Sequence, residues 1–315
     1  MDMISVSCAG DENYYCGLLV TLHSLCSSAA PGTRLKIHVL DCGLAFASRE
    51  DLVKRLCAIK DREIQVEFHA VPVDRFSEFP KWRGGHAAYA RLALQDILAD
   101  EDWTIYTDID TLWLRDVGEL WAARVQTPVL AAAPDGSAFA DLSSGSGTAE
   151  LFASFERRID PSKYFCSGLM LMNLGELRKR RFLEVVLKLM NDNPDLLDFA
   201  DQNLYNWMFP HPDTLMLDWR WGEFAAAYGR RETHSPRVVH YAKAAPWNRR
   251  ITAVGMLWWE YLHRNIKNSR FSGKAAFNCL VYRCLKVPLV FCCAYGFLWV
   301  FNRKYFMKRK SEIFR

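Results

Sequence analysis

A chain of 315 residues, half of them hydrophobic and about a quarter charged, can bury one large core and carry an appendage, and this composition excludes a disordered chain. The net charge of +4 conceals an asymmetry: residues 270–315 hold ten Lys or Arg against the single acid Glu312, giving +9, while residues 1–269 carry 30 basic and 35 acidic side chains, giving −5. A basic C-terminus on an acidic body suits an anionic membrane surface better than a nucleic-acid groove, so no nucleic-acid partner is expected. Ten scattered cysteines form no CxxC pair, and the first ten residues read as a strand with no secretory leader, which suits a reduced, cytoplasmic compartment.

In chain order, Ile4–Ala9 predicts a first strand that ends at Gly10-Asp11-Glu12-Asn13, and Tyr14–Ser28 has helical periodicity. Leu35–Leu40 predicts a second strand, Arg49–Ile59 a helix and Ile64–Ala70 a third strand; this alternation implies a mostly parallel sheet with crossover helices. Ala87–Leu98 repeats apolar residues at helical spacing and leads into the buried strand Trp103–Tyr106, which runs into Thr107-Asp108-Ile109-Asp110. Residues 135–148 are rich in Ser, Gly and Ala without a period, as in a mobile loop or linker. Tyr164–Asn173 predicts another strand, 175–190 a helix, Asp201–Phe209 a helical stretch, Val238–Tyr241 a short strand and Met256–Ile266 a helix packed on the domain. Val287–Phe301 is an apolar run of 15 residues between basic flanks, short of the roughly 20 that span a bilayer, which favours an interfacial anchor over a true span or a buried helix. The expected division is a catalytic domain over 1–265 and a helical, basic and aromatic membrane-associating tail over 266–315.

Asp108 and Asp110 lie one residue apart at the C-terminal end of a strand, where open α/β sheets place their ligands, and on an extended backbone their side chains share one side. Two carboxylates there suit a hard cation such as Mg²⁺ or Mn²⁺ that also grips a diphosphate; elsewhere an acidic pair is an ordinary loop feature, but it seldom follows so closely on a buried strand. His240 ends the strand Val238–Val239 and is either a third ligand or a structural histidine. Asp11, Asn13 and Tyr14 follow the first strand, where they either read a base and ribose or simply cap the helix. Arg91 either neutralises a diphosphate or holds a sugar hydroxyl, or is a solvated helix charge. Asp201 and Gln202 either position sugar hydroxyls or cap a helix.

Taken in order, Ala9-Gly10-Asp11-Glu12-Asn13-Tyr14, Tyr89-Ala90-Arg91-Leu92, Tyr106-Thr107-Asp108-Ile109-Asp110, Asp201-Gln202 with Asn206, and His240-Tyr241 leading to Pro246-Trp247 resemble the motifs of family 8 glycosyltransferases. The resemblance runs from about Ile4 to Tyr261 and implies a GT-A fold, the nucleotide-diphospho-sugar transferase fold. It further implies a UDP-hexose donor, Mn²⁺ (or Mg²⁺) as the metal, and transfer of galactose or glucose with retention of configuration to a glycan acceptor such as lipopolysaccharide core or a lipid-linked oligosaccharide. On the matching positions, Asp108, Asp110 and His240 hold the metal; Ala9, Asp11, Asn13 and Tyr14 meet the uridine; Ile109 lies beside the donor; and Arg91, Asp201 and Gln202 address its sugar, with Gln202 nearest the reacting face.

This chain departs from the family pattern in two places. Cys166-Ser167-Gly168 stands where the family has Asn-Ala-Gly, removing an amide that would touch the sugar. Beyond His240, Lys243 occupies a glycine's place and Ala245 a lysine's, and Lys243 is a candidate for the β-phosphate. These departures leave a catalytically weakened nucleotide-sugar-binding protein as the alternative to an active enzyme, whereas a phosphoryl-transfer enzyme is disfavoured by the lack of any P-loop. The sequence reading places the protein peripherally at the inner face of the cytoplasmic membrane.

Overall fold

In the computed structural model, the residues described are 2–71, 73–81, 86–135, 160–192, 201–225, 235–242, 245–247, 255–266 and 278. Lys243, the stretch after Asp135 and the apolar run 287–301 lie outside them. Strand β1 (Ile4–Gly10) is buried on both faces, as a near-continuous run of small and apolar side chains requires inside a parallel sheet. Helix α1 (Tyr15–Ser28) follows it, after a single 3₁₀ turn at Glu12–Tyr14, and leads into β2 (Arg34–Asp41); helix α2 (Phe46–Cys57) and β3 (Glu63–Ala70) repeat the unit. Glu12 ties the first loop to the second unit, because its carboxylate accepts from Ala45 N (2.9 Å) and Ser48 Oγ (2.9 Å) at the start of α2.

The strand β4 (Trp103–Thr107) returns to the other side of β1. With β5 (Thr111–Trp113), β6 (Leu130–Pro134), β7 (Phe165–Asn173) and β8 (Thr214–Met216), the main sheet has the order β3-β2-β1-β4-β7-β6-β8, while β5 belongs to a second, three-stranded sheet with β9 (Glu223–Phe224) and β10 (Val238–His240). The β3-β2-β1-β4 half is parallel; β7 runs antiparallel to both β4 and β6, and β8 is parallel to β6. Chain order reverses direction between β1 and β4, and the crevice at such a switch point is where an open α/β sheet binds its ligand.

The pleat sorts the core onto the two faces of the sheet. Val6, Ile37, Val39 and Ile105 point to the side covered by α1, and Ala9, Leu40 and Tyr106 to the other, where Tyr89, Phe182 and Tyr205 close the second core. Helix α8 (Met256–Asn265) packs on the first side through Trp258, Trp259 and Leu262. Asn278, the one residue described past Ile266, donates from Nδ2 to Trp247 O at 3.1 Å. No helix among the described residues is long and apolar enough to cross a membrane.

Two helices differ from the sequence expectation. Residues Ala87–Ala93 form a 3₁₀ helix, and only Leu94–Ile97 (α3) is α-helical. The expected 175–190 helix is two, α5 (Leu174–Lys179) and α6 (Phe182–Asp192), broken at Arg181, whose φ is +51°. The break falls within the basic run Arg178–Arg181, whose first member is diverted to the carbonyls of Gln95 (3.2 Å), Leu98 (3.3 Å) and Glu101 (3.0 Å), tying α5 to the end of α3. Among the described residues the remaining short α-helices are α4 (Val117–Trp121) and α7 (Gln202–Met208).

Candidate active site

The Asp108–Asp110 pair sits in a tight turn between β4 and β5, not on the extended backbone that the sequence suggests. Hydroxyls shape the turn. Thr21 of α1 donates its Oγ1 to Ile109 O (2.8 Å) and Thr111 O (2.8 Å), Thr111 Oγ1 donates to Asp108 O (3.0 Å), and Thr111 and Thr107 share a hydroxyl contact of 2.9 Å. Asp108 N donates to Gly168 O at 2.7 Å, which fastens the turn to β7. Gly17 leaves room for Trp247 and Ile109: a Cβ there would lie 2.4 Å from Trp247 Cη2 and 2.8 Å from Ile109 O.

β10 pairs antiparallel with β5 in a register that sets His240 opposite Thr111, and Tyr241 N donates to Asp110 O at 2.8 Å. The His240 ring is thereby delivered to the carboxylates, its Nε2 3.1 Å from Asp110 Oδ1 and 3.9 Å from Asp108 Oδ2. Phe224 stacks on the ring (5.5 Å between centroids), and Cys166 Sγ lies 3.5 Å from Nδ1. Cys166 therefore orients His240 through the nitrogen that faces away from the carboxylates, a contact in which a thiol can donate or accept.

The ligand atoms of Asp108, Asp110 and His240 all lie within 4.8 Å of one another. Two carboxylates and one imidazole are a donor set that fits Mn²⁺ or Mg²⁺ and leaves positions open for further oxygen ligands. The electrostatics agree. Burial raises the Asp108 carboxyl above its usual range, against the pull of Arg91. Burial opposes a charged His240 ring, yet Cys166 and Asp110 outweigh it and hold the ring well above the ordinary histidine value. A divalent cation between the two acids would supply positive charge at the same place.

Arg91 is not a solvated helix charge. It is buried, with Nε 2.9 Å from Asp201 Oδ2, Nη2 3.2 Å from Asp108 Oδ1, Nη1 donating to Ser167 O at 2.7 Å, and its guanidinium 4.5 Å from the centre of the Tyr106 ring. The eclipsed 3₁₀ backbone lets Nε also donate to Ala88 O, 3.1 Å away. Asp201 precedes α7 but makes no side-chain cap; its carboxylate is buried against Arg91. Gln202 accepts from Ser167 N (3.3 Å) and donates from Nε2 to Asp135 Oδ2 (2.8 Å). Asp135, at the end of β6, is the member of this network that the sequence reading passed over, although it too is an acid directly after an apolar strand.

The loop after β1 behaves as a cap and as a rim. Asp11 accepts from Tyr14 N at 3.2 Å, capping the 3₁₀ turn, Asn13 is exposed, and the edge of Tyr14 meets Trp247 with centroids 6.4 Å apart. Ala9 is buried in β1. Arg91, Asp108, Asp201 and Gln202 with Asp110 and His240 thus form one connected network, linked in part through Ser167.

Burial holds Asp201 at about 6, above the ordinary 3.8, against the opposing pull of Arg91. An acid whose folded value is raised binds its proton more tightly when folded, so stability falls as pH rises between the two values. In chelator, urea unfolding is expected to lose about 2 kcal/mol from this group between pH 4 and 6.5, at about 1.4 kcal/mol per pH unit of separation. Asp201→Asn should remove that part of the slope, and equal slopes in both proteins would refute the assignment.

A profile of Glycosyl transferase family 8 matches residues 5–250. The general stress protein A of Bacillus subtilis (strain 168) is 27% identical over 266 residues, covering 77% of this chain and 86% of the relative. A putative glycosyltransferase of Haemophilus influenzae is 27% identical over 146 residues, covering 45% of this chain and 41% of that one. Among solved structures, an active-site glutamine-to-glutamate mutant of LgtC superposes with a TM-score of 0.71 at 23% identity, over 85% of this chain and 98% of LgtC. The galactosyltransferase LgtC in complex with donor and acceptor sugar analogues gives 0.69 at 24% identity, with the same coverage. The GT-A fold expected of the chain is therefore present, and with the profile running through every element that builds the network around Asp108, Asp110 and His240, the chain belongs to glycosyl transferase family 8.

Proposed function

We propose that this glycosyltransferase is a metal-dependent, retaining hexosyltransferase that moves galactose or glucose from UDP to a glycan or lipid-linked acceptor. The observation that carries the reading is the convergence of Asp108, Asp110 and His240 at the switch point of the sheet, braced by Arg91 and beside Gln202. A donor and an acceptor sugar are what LgtC holds in its complex, and LgtC is a galactosyltransferase. When bound, Mn²⁺ or Mg²⁺ supplies positive charge where the departing diphosphate becomes negative.

The chain's own residues do the positioning. Asp108 and Asp110 are fixed by the Thr21, Thr107 and Thr111 hydroxyls before any ligand arrives, so little reorganisation remains to be done during the reaction. Arg91 holds Asp108 from behind, and Ser167 and Asp135 set the side-chain amide of Gln202 toward the donor sugar. Tyr14 offers an aromatic edge, and Asp11 and Asn13 polar groups, to the uridine. Among the described residues the carboxylates beside Gln202, Asp135 and Asp201, are each engaged by Gln202 or Arg91, and leaving-group-assisted attack on the same face is the route we infer.

The basic tail 266–315 is proposed to hold the enzyme at the cytoplasmic face of the membrane, and Lys243 to approach the β-phosphate. Thermal shift with UDP-galactose, UDP-glucose and other nucleotide sugars, with and without Mn²⁺, tests the donor assignment. A stabilisation that requires both UDP-hexose and metal is expected; stabilisation by another nucleotide base, or without metal, would overturn it.

A further inference from the structure

On the edge of the sheet remote in sequence from the site just described, β2 and β3 bring a second set of metal-ligating side chains together. His38 and Glu67 are register partners across the two strands, and His69, two residues beyond Glu67, points to the same face. The opposite face carries Ile37, Val39, Val66 and Phe68 into the core, so the pleat leaves the polar residues no other side to occupy.

His38 is the fixed point, its side chain 2% exposed. Its Nδ1 lies 2.9 Å from His69 Nε2 and 3.5 Å from Glu67 Oε2, and the last two atoms are 3.9 Å apart. A point equidistant from these three atoms lies about 2.0 Å from each, the length of a zinc–nitrogen or zinc–carboxylate bond.

The surroundings are those of a built site. His38 Nε2 is buried without a hydrogen-bond partner and lies 3.4 Å from Glu101 Oε1, the position of the carboxylate that steers a metal-bound imidazole from its far nitrogen. Lys36 Nζ sits 3.0 Å from Glu101 Oε1 and 3.4 Å from Glu67 Oε1, which orients Glu67 and leaves its Oε2 for the shared point. Burial lowers His38 to about 4 and lowers His69 as well, so both rings are neutral, the state in which imidazole binds metal. Glu67 and His69 keep side-chain exposures of 44% and 23%, an entry path from solvent.

We propose that His38, Glu67 and His69 form a second divalent-cation site, for a zinc-like ion, that staples β2 to β3 at the open edge of the sheet. Two imidazoles and one carboxylate suit Zn²⁺, Co²⁺ or Ni²⁺, whereas the two aspartates of the first site suit Mn²⁺ or Mg²⁺. Nothing in glycosyl transfer calls on these residues, and the site stands or falls independently of the donor assignment.

The test uses the full chain carrying Asp110→Ala, which disables the first cluster, stripped with chelator and titrated with Zn²⁺ alone. One equivalent is expected to bind and to raise Tm; adding His69→Ala should abolish that equivalent and its Tm shift, and Glu67→Gln should weaken it at least about tenfold. Zn²⁺ binding unchanged by His69→Ala would overturn the proposal, since the metal would then sit on cysteines or elsewhere. Should the His69→Ala chain not fold, Co²⁺ on the Asp110→Ala chain decides: tetrahedral visible bands without thiolate charge transfer support the site, and their absence, or thiolate bands, refutes it.

Discussion

Asp110→Ala is expected to lower kcat for glycosyl transfer by about a thousandfold, corresponding to about 4 kcal/mol of transition-state stabilisation, while the chain stays folded. Both parts follow from the geometry. The side chain is buried and its Oδ1 is the nearest acid to His240 Nε2, at 3.1 Å, so its loss leaves that ring facing only Asp108 at 3.9 Å. The contact that aligns β10 with the turn is a backbone one, Tyr241 N to Asp110 O, and alanine keeps it. Steady-state kinetics with saturating Mn²⁺, alongside the Mn²⁺-induced change in Tm, would measure the two effects separately. A variant that turns over within a few-fold of the parent would show that the cluster holds no catalytic ion.

The second large effect is predicted for a residue with no side chain at all. A Cβ on Gly168 would stand 2.4 Å from His240 Cε1, 2.9 Å from Asp108 Oδ2 and 3.0 Å from His240 Nε2. Neither neighbour can retreat cheaply. His240 is stacked on Phe224 and touches Cys166, while Asp108 is held by the Tyr106 hydroxyl at 3.0 Å and by Arg91. Gly168→Ala is therefore expected to cost about 1–3 kcal/mol of stability through overpacking. It should also weaken Mn²⁺ binding about a hundredfold, since a ligand displaced by an ångström no longer fits a rigid cluster. Calorimetric titration of Mn²⁺ checks this, and unchanged affinity would mean that the cluster is softer than its contacts indicate.

These residues also show how far the sequence alone reaches. Asp108 and Asp110 were legible because an apolar strand, Trp103–Thr107, runs straight into them, whereas Val238-Val239 left His240 open between ligand and structural histidine, and only the family resemblance made it a ligand. Asp135 obeys the same rule, yet its strand is Leu130-Ala131-Ala132-Ala133-Pro134, and alanine and proline are poor strand formers. Only pairing with β7 and β8 on either side makes it a strand. Strand β5 is three residues long, too short to carry a period, so the turn holding the acids could not be told from continued extension. The environment of Arg91 stayed open between a site residue and a solvated charge for a related reason: apolar spacing at 87–98 suggests an α-helix with a solvated side, whereas the 3₁₀ backbone over its first half turns the guanidinium inward onto Asp108 and Asp201. Cys166, expected only as a missing amide, is found steadying the imidazole of His240.

The two halves of the Asp110–His240 contact are separated by 130 positions along the chain. An ion held between them would work as a clasp on a long loop, since whatever binds the folded chain alone adds to its stability, by about 2.7 kcal/mol at a hundred times the dissociation constant. Cation binding and closure of the late segment onto the early one would then be a single event, and a molecule starved of cation should loosen first where β10 leaves β5.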